Sequence, residues 1–155
     1  HTIQRAVQDL GSALADWHRE FQGVVTARGG QFQVADMAQL GPVAFHASTL
    51  RRALLNLVQN AAEALPPGGT VTLAGEGTAA AVQLQVRDTG SGIPAAQLAT
   101  IFEPLYTTKP GGTGLGLYIV QQIVAAHGGQ VTVESQVGQG TTVTITIPRY
   151  GGERL

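Results

Sequence analysis

The chain's 155 residues, 43% of them hydrophobic, suffice for one compact domain with an appendage and are too apolar for an unfolded segment. With 9 basic against 10 acidic side chains the net charge is −1, so no field is available to hold a polyanion by counterion release, which argues against nucleic acid as a partner. The absence of cysteine excludes a disulfide frame and a thiolate metal site, and no apolar run approaches the roughly 20 residues of a membrane helix, so the expectation is a cytoplasmic chain without membrane contact of its own.

Ile3, Val7, Leu10, Leu14, Trp17 and Phe21 recur at alternating spacings of four and three, which predicts a helix with a coiled-coil seam. The seam suits either an amphipathic helix packed on its own domain or the tail of a dimerising helical hairpin, and Gly11 weakens the helix by about 1 kcal/mol relative to Ala. Val24 to Ala27 and Gln31 to Ala35 flank Arg28-Gly29-Gly30 and read as a hairpin. Beyond the Gly41-Pro42 break, Val43 to Phe45 form a short strand. Ser48 or Thr49 then caps a helix near Thr49 to Leu65, stopped by Pro66-Pro67-Gly68-Gly69. Thr70 to Ala74 and Ala80 to Arg87 read as a second hairpin around Gly75-Glu76-Gly77. Pro94 to Ile101 suits a short helix and Phe102 to Gly114 a mobile loop with little to bury. Leu115 to His127 is helical by pattern, ended by Gly128-Gly129, and the alternating runs Gln130 to Ser135 and Thr141 to Pro148 enclose a Gly138-Gln139-Gly140 turn. The fold expected is α+β, a two-layer α/β sandwich with a mixed sheet, about three helices on one face, and an N-terminal helix.

Three stretches carry chemistry. Asn56 and Asn60 lie four apart on one helix, so both amides project from one face; magnesium takes hard oxygen ligands and keeps several waters, which a side-chain carbonyl beside phosphates satisfies. In isolation the pair is equally an ordinary solvated helix face. Asp88 closes a strand and enters Thr89-Gly90-Ser91-Gly92-Ile93, where glycines let the backbone approach a ligand closely. A buried carboxylate needs donors, which an adenine amino group and water would supply, although the motif alone is also a plain strand-to-helix turn. Gly112-Thr113-Gly114-Leu115-Gly116-Leu117 runs into a helix whose first N–H groups and dipole suit phosphate oxygens. No Gly-Lys-Ser/Thr follows, which excludes a P-loop, and no strand immediately precedes, which disfavours a dinucleotide fold.

In that order, LLNLVQNAAEAL, DTGSGI and GTGLGL are similar to the N, G1 and G2 boxes of sensor histidine kinases, and the span from Val43 to Pro148 resembles their catalytic, ATP-binding domain. That domain has the Bergerat-type fold shared with gyrase, Hsp90 and MutL ATPases. The resemblance implies ATP and Mg2+ as cofactors, with Asn60 as the metal ligand, Asp88 reading the adenine, and Gly90, Gly92 and Ile93 beside it. The phosphates would lie on Gly112, Thr113, Gly114, Leu115, Gly116 and Leu117. Phe102 to Lys109 resembles the F box that opens the ATP lid, which adds Phe102 and Thr108 to the nucleotide contacts. Lys109, the only lysine, would meet phosphate charge when the loop closes, or is a solubilising loop residue. Gly138, Gly140 and Thr141 match a last glycine box at the pocket edge.

Departures from the pattern are informative. Glu63 and Ala64 stand where many members carry a basic residue and an aromatic, leaving phosphate neutralisation to Lys109. Asn56 stands where the related ATPases place a Glu that activates water. A neutral amide takes no proton at neutral pH, so hydrolysis should be slow and transfer favoured. None of His1, His18, His46 and His127 sits in a phosphoacceptor pattern, and His127 matches a helix-ending His-Gly-Gly of structural role. The resemblance therefore implies an acceptor histidine on a dimerisation domain ahead of His1, with residues 1–22 the remnant of its helix, 23–150 the catalytic domain and 151–155 a tail. Partners implied are ATP, that dimerisation domain and a response-regulator receiver domain, in a homodimeric parent whose membrane attachment stays open. The alternative is a nucleotide-binding regulatory module or an anti-sigma-type serine kinase of the same fold.

Overall fold

A computed structural model of the chain describes residues 3–38, 40–103 and 116–150. Its first helix starts later than the apolar spacing predicts. Ala6–Asp9 (β1) is extended and pairs antiparallel with Pro42–Phe45 (β3), and Leu10–Thr26 (α1) begins behind Asp9, whose carboxylate accepts the Ser12 N–H at 2.8 Å. An aspartate at the N-cap satisfies a helix donor that would otherwise be orphaned, and here it outweighs the heptad spacing that Ile3 and Val7 share by coincidence. Leu10, Leu14 and Phe21 of the seam are buried in the domain's own core, and Trp17 meets the Phe45 ring edge-on with centroids 6.5 Å apart. A division of the chain at residue 22 thus falls inside α1.

The end of α1 corrects a second expectation. Arg28-Gly29-Gly30 turns no hairpin: Gly29 has φ 81°, its N–H reaches the Thr26 carbonyl at 3.0 Å, and the Gly30 N–H reaches the Val25 carbonyl at 3.1 Å. These are the paired bonds that close a helix through a left-handed glycine. Gln31–Ala38 (β2) then pairs in parallel with Thr70–Gly77 (β4). Between them β3 leads through His46 into Ala47–Ala64 (α2), which already includes Ser48 and Thr49 in its first turn. The reversal after β4 also lies later than expected. Gly75, Glu76 and Gly77 stay in the strand, paired with β5, where Gly75 is a glycine because a side chain would crowd Met37 and Leu84, and the turn is made where Thr78 N–H meets the Ala81 carbonyl at 2.8 Å.

Ala81–Asp88 (β5), the short Ala95–Leu98 (α3), Gly116–Ala126 (α4), Gln130–Gln136 (β6) and Gly140–Pro148 (β7) complete the order. The main sheet runs β2-β4-β5-β7-β6, antiparallel except for β2 with β4, hence mixed as expected. Strand alternation sends Leu73, Leu84, Val86, Val143 and Ile145 to one face, where they meet Leu50, Leu54, Leu57 and Val58 of α2 and Val120 and Val124 of α4. Each such side chain contributes about 1.5–3 kcal/mol by leaving water. At the far end of the sheet Arg149 ties two connections together: its guanidinium donates to the carbonyls of Leu40, of Pro42 at 3.1 Å and of Thr78 at 2.6 Å.

Candidate functional site

The ends of α2, β5 and β7 converge on one corner. Gly90 follows Asp88 by two residues and packs so tightly on α2 that an added Cβ would stand 2.6 Å from the Ala64 carbonyl and 2.9 Å from its Cβ. Ala64 lies one turn beyond Asn60, about 6 Å along the axis, so the Asp88 turn packs on the C-terminal end of the helix that carries the half-buried Asn56 and Asn60. Across the sheet Asp88 is in register with Thr141; its carboxylate accepts the Gly90 N–H at 2.8 Å, and the Thr141 backbone N–H is a second donor near it that favours the ionised form.

Burial nevertheless outweighs those two donors and raises the Asp88 carboxyl above its ordinary range. The carboxylate is therefore under-compensated, suited to a further donor.

The loop around Asp88 is closed by backbone against backbone. Gly92 has φ 77° and a side chain there would meet the Gln136 carbonyl at 2.1 Å; Gly140 has φ 99° and would meet the Asp88 carbonyl at 2.0 Å. Ser91 carbonyl accepts the Gly138 N–H at 2.8 Å. The Ser135 hydroxyl accepts the Ile93 N–H at 2.8 Å, donates to the Gly140 carbonyl at 3.1 Å and lies 2.7 Å from the Thr141 hydroxyl. Ser135 was not among the sequence candidates. Its signal is parity, since it continues the Val131 and Val133 series of β6, a polar residue at an inward position.

α4 reaches the same corner. The His46 N–H at the start of α2 donates to Nε2 of His127 at the end of α4, so the two packed helices run antiparallel, which brings Gly116 alongside the Asn56 and Asn60 end. Leu117 is half-buried against the core. Asn56 and Asn60 on α2, Gly116 and Leu117 on α4, and Asp88, Gly90, Gly92, Ile93 and Thr141 around the β5–β7 corner thus lie on elements that pack on one another. Phe102 is half-buried in the turn after α3, which packs against β6. Thr108, Lys109, Gly112, Thr113, Gly114 and Leu115 lie outside the described residues. Glu63 forms an ion pair with Arg28 of 3.7 Å. Among the described residues no cluster of histidine and carboxylate side chains could hold a metal by itself, and a cation here would need amide oxygen and ligand phosphates together.

Residues 46–151 match the family described as histidine kinase-, DNA gyrase B-, and HSP90-like ATPase. The sensor histidine kinase ZraS of Escherichia coli K12 is 46% identical over 99 residues, covering 64% of this chain and 21% of that protein, so the chain spans about a fifth of this curated relative. Among solved structures, the catalytic domain of histidine kinase ThkA, nucleotide free, superposes with TM-score 0.84 at 27% identity over 96% of this chain and 99% of that one. ThkA in complex with the response regulator protein TrrA gives 0.79 at 25% identity over 94% and 42%. Full-length ShkA in complex with AMPPNP gives 0.86 at 29% identity over 98% of this chain and 32% of that one.

Proposed function

The chain belongs to the histidine kinase-, DNA gyrase B-, and HSP90-like ATPase family, and from that premise we propose that it is the ATP-binding catalytic domain of a two-component sensor histidine kinase, transferring the γ-phosphate of ATP to a histidine on a dimerisation domain. The observation that carries this reading is Asp88. It is a half-buried carboxylate held by two backbone donors that do not offset its desolvation, at the centre of a corner whose glycines leave no room for side chains. An exocyclic amino group of adenine offers the missing donor, and full-length ShkA, the relative bound to AMPPNP, aligns over nearly the whole chain.

In this proposal Asp88 orients the base, and Gly90, Gly92, Ile93 and Thr141 shape the wall around it. Asn60 would hold Mg2+ through its amide oxygen, a fit supported by its half-buried position one turn from Ala64. Magnesium, when bound, supplies charge neutralisation of the triphosphate. The N–H groups at the start of α4, from Gly116 and Leu117, receive phosphate oxygens, with Gly112, Thr113, Gly114 and Leu115 as the approach. Phe102, Thr108 and Lys109 are assigned to the lid. Asn56, an amide where a base would be needed to activate water, favours transfer over hydrolysis. A homodimeric parent, a receiver-domain partner like the regulator bound to ThkA, and a cytoplasmic location belong to the same proposal, while α1, buried in the domain's own core, is counted with the catalytic domain. No described helix is long and apolar enough to cross a membrane.

The test is to mix the chain with a separately produced histidine-kinase dimerisation domain and γ-labelled Mg–ATP. Acid-labile label on the acceptor histidine is expected. Acid-stable label on serine, or intact ATP after hours with acceptor present, would replace this reading with a serine kinase or a nucleotide-binding regulatory module.

A further inference from the structure

His127 closes the end of α4 with a side chain that is 0% exposed, and both of its ring nitrogens face backbone. Nδ1 lies 2.9 Å from the Ile123 carbonyl, which only accepts, so Nδ1 carries the hydrogen. Nε2 lies 3.1 Å from the His46 N–H, which only donates, so Nε2 is bare. The ring is thereby committed to one tautomer with no capacity to spare. His46 occupies the N-cap position of α2 without a side-chain cap, and its own N–H is the group the imidazole takes up. The C-terminus of one site-bearing helix is thus bolted to the N-terminus of the other, and Gly128 with φ 77° and the Gly129 N–H to Val124 carbonyl bond of 2.9 Å hold the bolt in place from behind.

The opposite ends of the same two helices carry Asn56 and Asn60 on α2 and the Gly116 start of α4. At 1.5 Å per residue, a slip of α4 by one residue along α2 would displace its first N–H groups by that amount relative to both asparagines. We propose that His127, in its Nδ1–H form, is a positioning residue that sets the register of α4 on α2 and so the spacing between the amide face and the phosphate-receiving helix start, acting from about 16 Å away along the α4 axis from Gly116. This rests on the nucleotide-site reading above. Protonation of Nε2 would set an N–H against the His46 N–H and undo the bolt. The charged or titratable groups facing the ring from the neighbouring elements are Arg5, ahead of β1, whose guanidinium also reaches the His127 carbonyl at 3.4 Å, and His46. Burial holds the His127 imidazole below its ordinary range against the opposing Ile123 bond, with the Arg5 guanidinium and the His46 ring adding smaller contributions in the same direction as burial. The register is therefore stable at neutral pH and sensitive to acid.

The experiment has two arms on the whole chain. Nitrogen-15 NMR of the native imidazoles should show His127 as the Nδ1–H tautomer at pH 7, with a through-bond coupling from the His46 amide to Nε2. Titration with a fluorescent Mg–ATP analogue should then show His127→Phe binding roughly tenfold more weakly, with His127→Gln, which restores an acceptor, recovering part of the loss. An Nε2–H tautomer, or native affinity in a folded His127→Phe, overturns the proposal; if that variant does not fold, the tautomer and coupling decide. Absence of nucleotide binding by the native chain at any pH would remove the site reading and this role with it, and is distinguished by the native protein itself being silent.

Discussion

Burial pushes one ionisable group toward its neutral form at each end of the α2–α4 pair, His127 at the closed end and Asp88, on the β5 terminus beside the open end, and the two differ in how completely backbone matches them. At the closed end His127 has every ring nitrogen matched by backbone within the domain and is driven to its neutral form. At the open end Asp88 also has backbone donors, from Gly90 and Thr141, yet its desolvation exceeds them. A completed hydrogen-bond set rigidifies; an incomplete one costs stability that an incoming ligand donor offsets. The contrast distinguishes the scaffold, where α4 ends against the start of α2, from the site, where the end of β5 meets the end of α2.

The largest way to break this contrast is to force the two strands at the open end apart. Gly140→Ala places a Cβ against the Asp88 carbonyl at a positive φ, and unfolding by urea should show a loss of about 3–5 kcal/mol. A loss below about 1 kcal/mol would mean that the corner relaxes freely. Next, Asp88→Asn should cost about a hundredfold in nucleotide affinity by calorimetry without lowering the melting temperature of the free chain. The sign follows from linkage. A carboxyl raised in the fold makes stability fall as pH climbs from 3.8 through its native value, and the Asn variant should lack that slope.

For the closed end the sign is reversed. An imidazole lowered in the fold contributes stability fully present above 6.5 and lost as pH falls through its native value. Between those two pH values the native chain should lose up to about 1.4 kcal/mol per unit, and His127→Gln should flatten the curve. The smallest effect sharpens the first. Gly138→Ala has the same left-handed φ, 82°, but open space around its Cβ, so a cost of about 1 kcal/mol is expected, from backbone conformation alone.

The sequence made the sheet and the corner readable unevenly, for physical reasons. Strands β6 and β7 and helices α2 and α4 follow their periodicities because burial on one face enforces them. The Gly128-Gly129 doublet was legible as a helix end, whereas Gly29-Gly30, making the same closing bonds, read as a hairpin turn because the β-branched Val24 and Val25 before it mask the helix. At the N-terminus a regular heptad spacing hid the Asp9 cap, since the cap is a single local bond and the seam a pattern over about three heptads. In the corner, Asn60, Asp88, Gly90 and Gly140 were visible as motif members. Ser135 and the His46–His127 bond were not, because each joins residues brought together only by strand pairing and helix packing.

Arg149 has a practical bearing on how this unit is cut and spliced. Its guanidinium supplies donors to carbonyls from the β2–β3 connection and the β4–β5 turn, while its own backbone N–H and carbonyl engage Ala80 and Ala44. A shortened or chimeric version that stops at Pro148 keeps every strand of the sheet but leaves those carbonyls to water. Grafting designs are therefore better joined after this arginine than at the last paired residue.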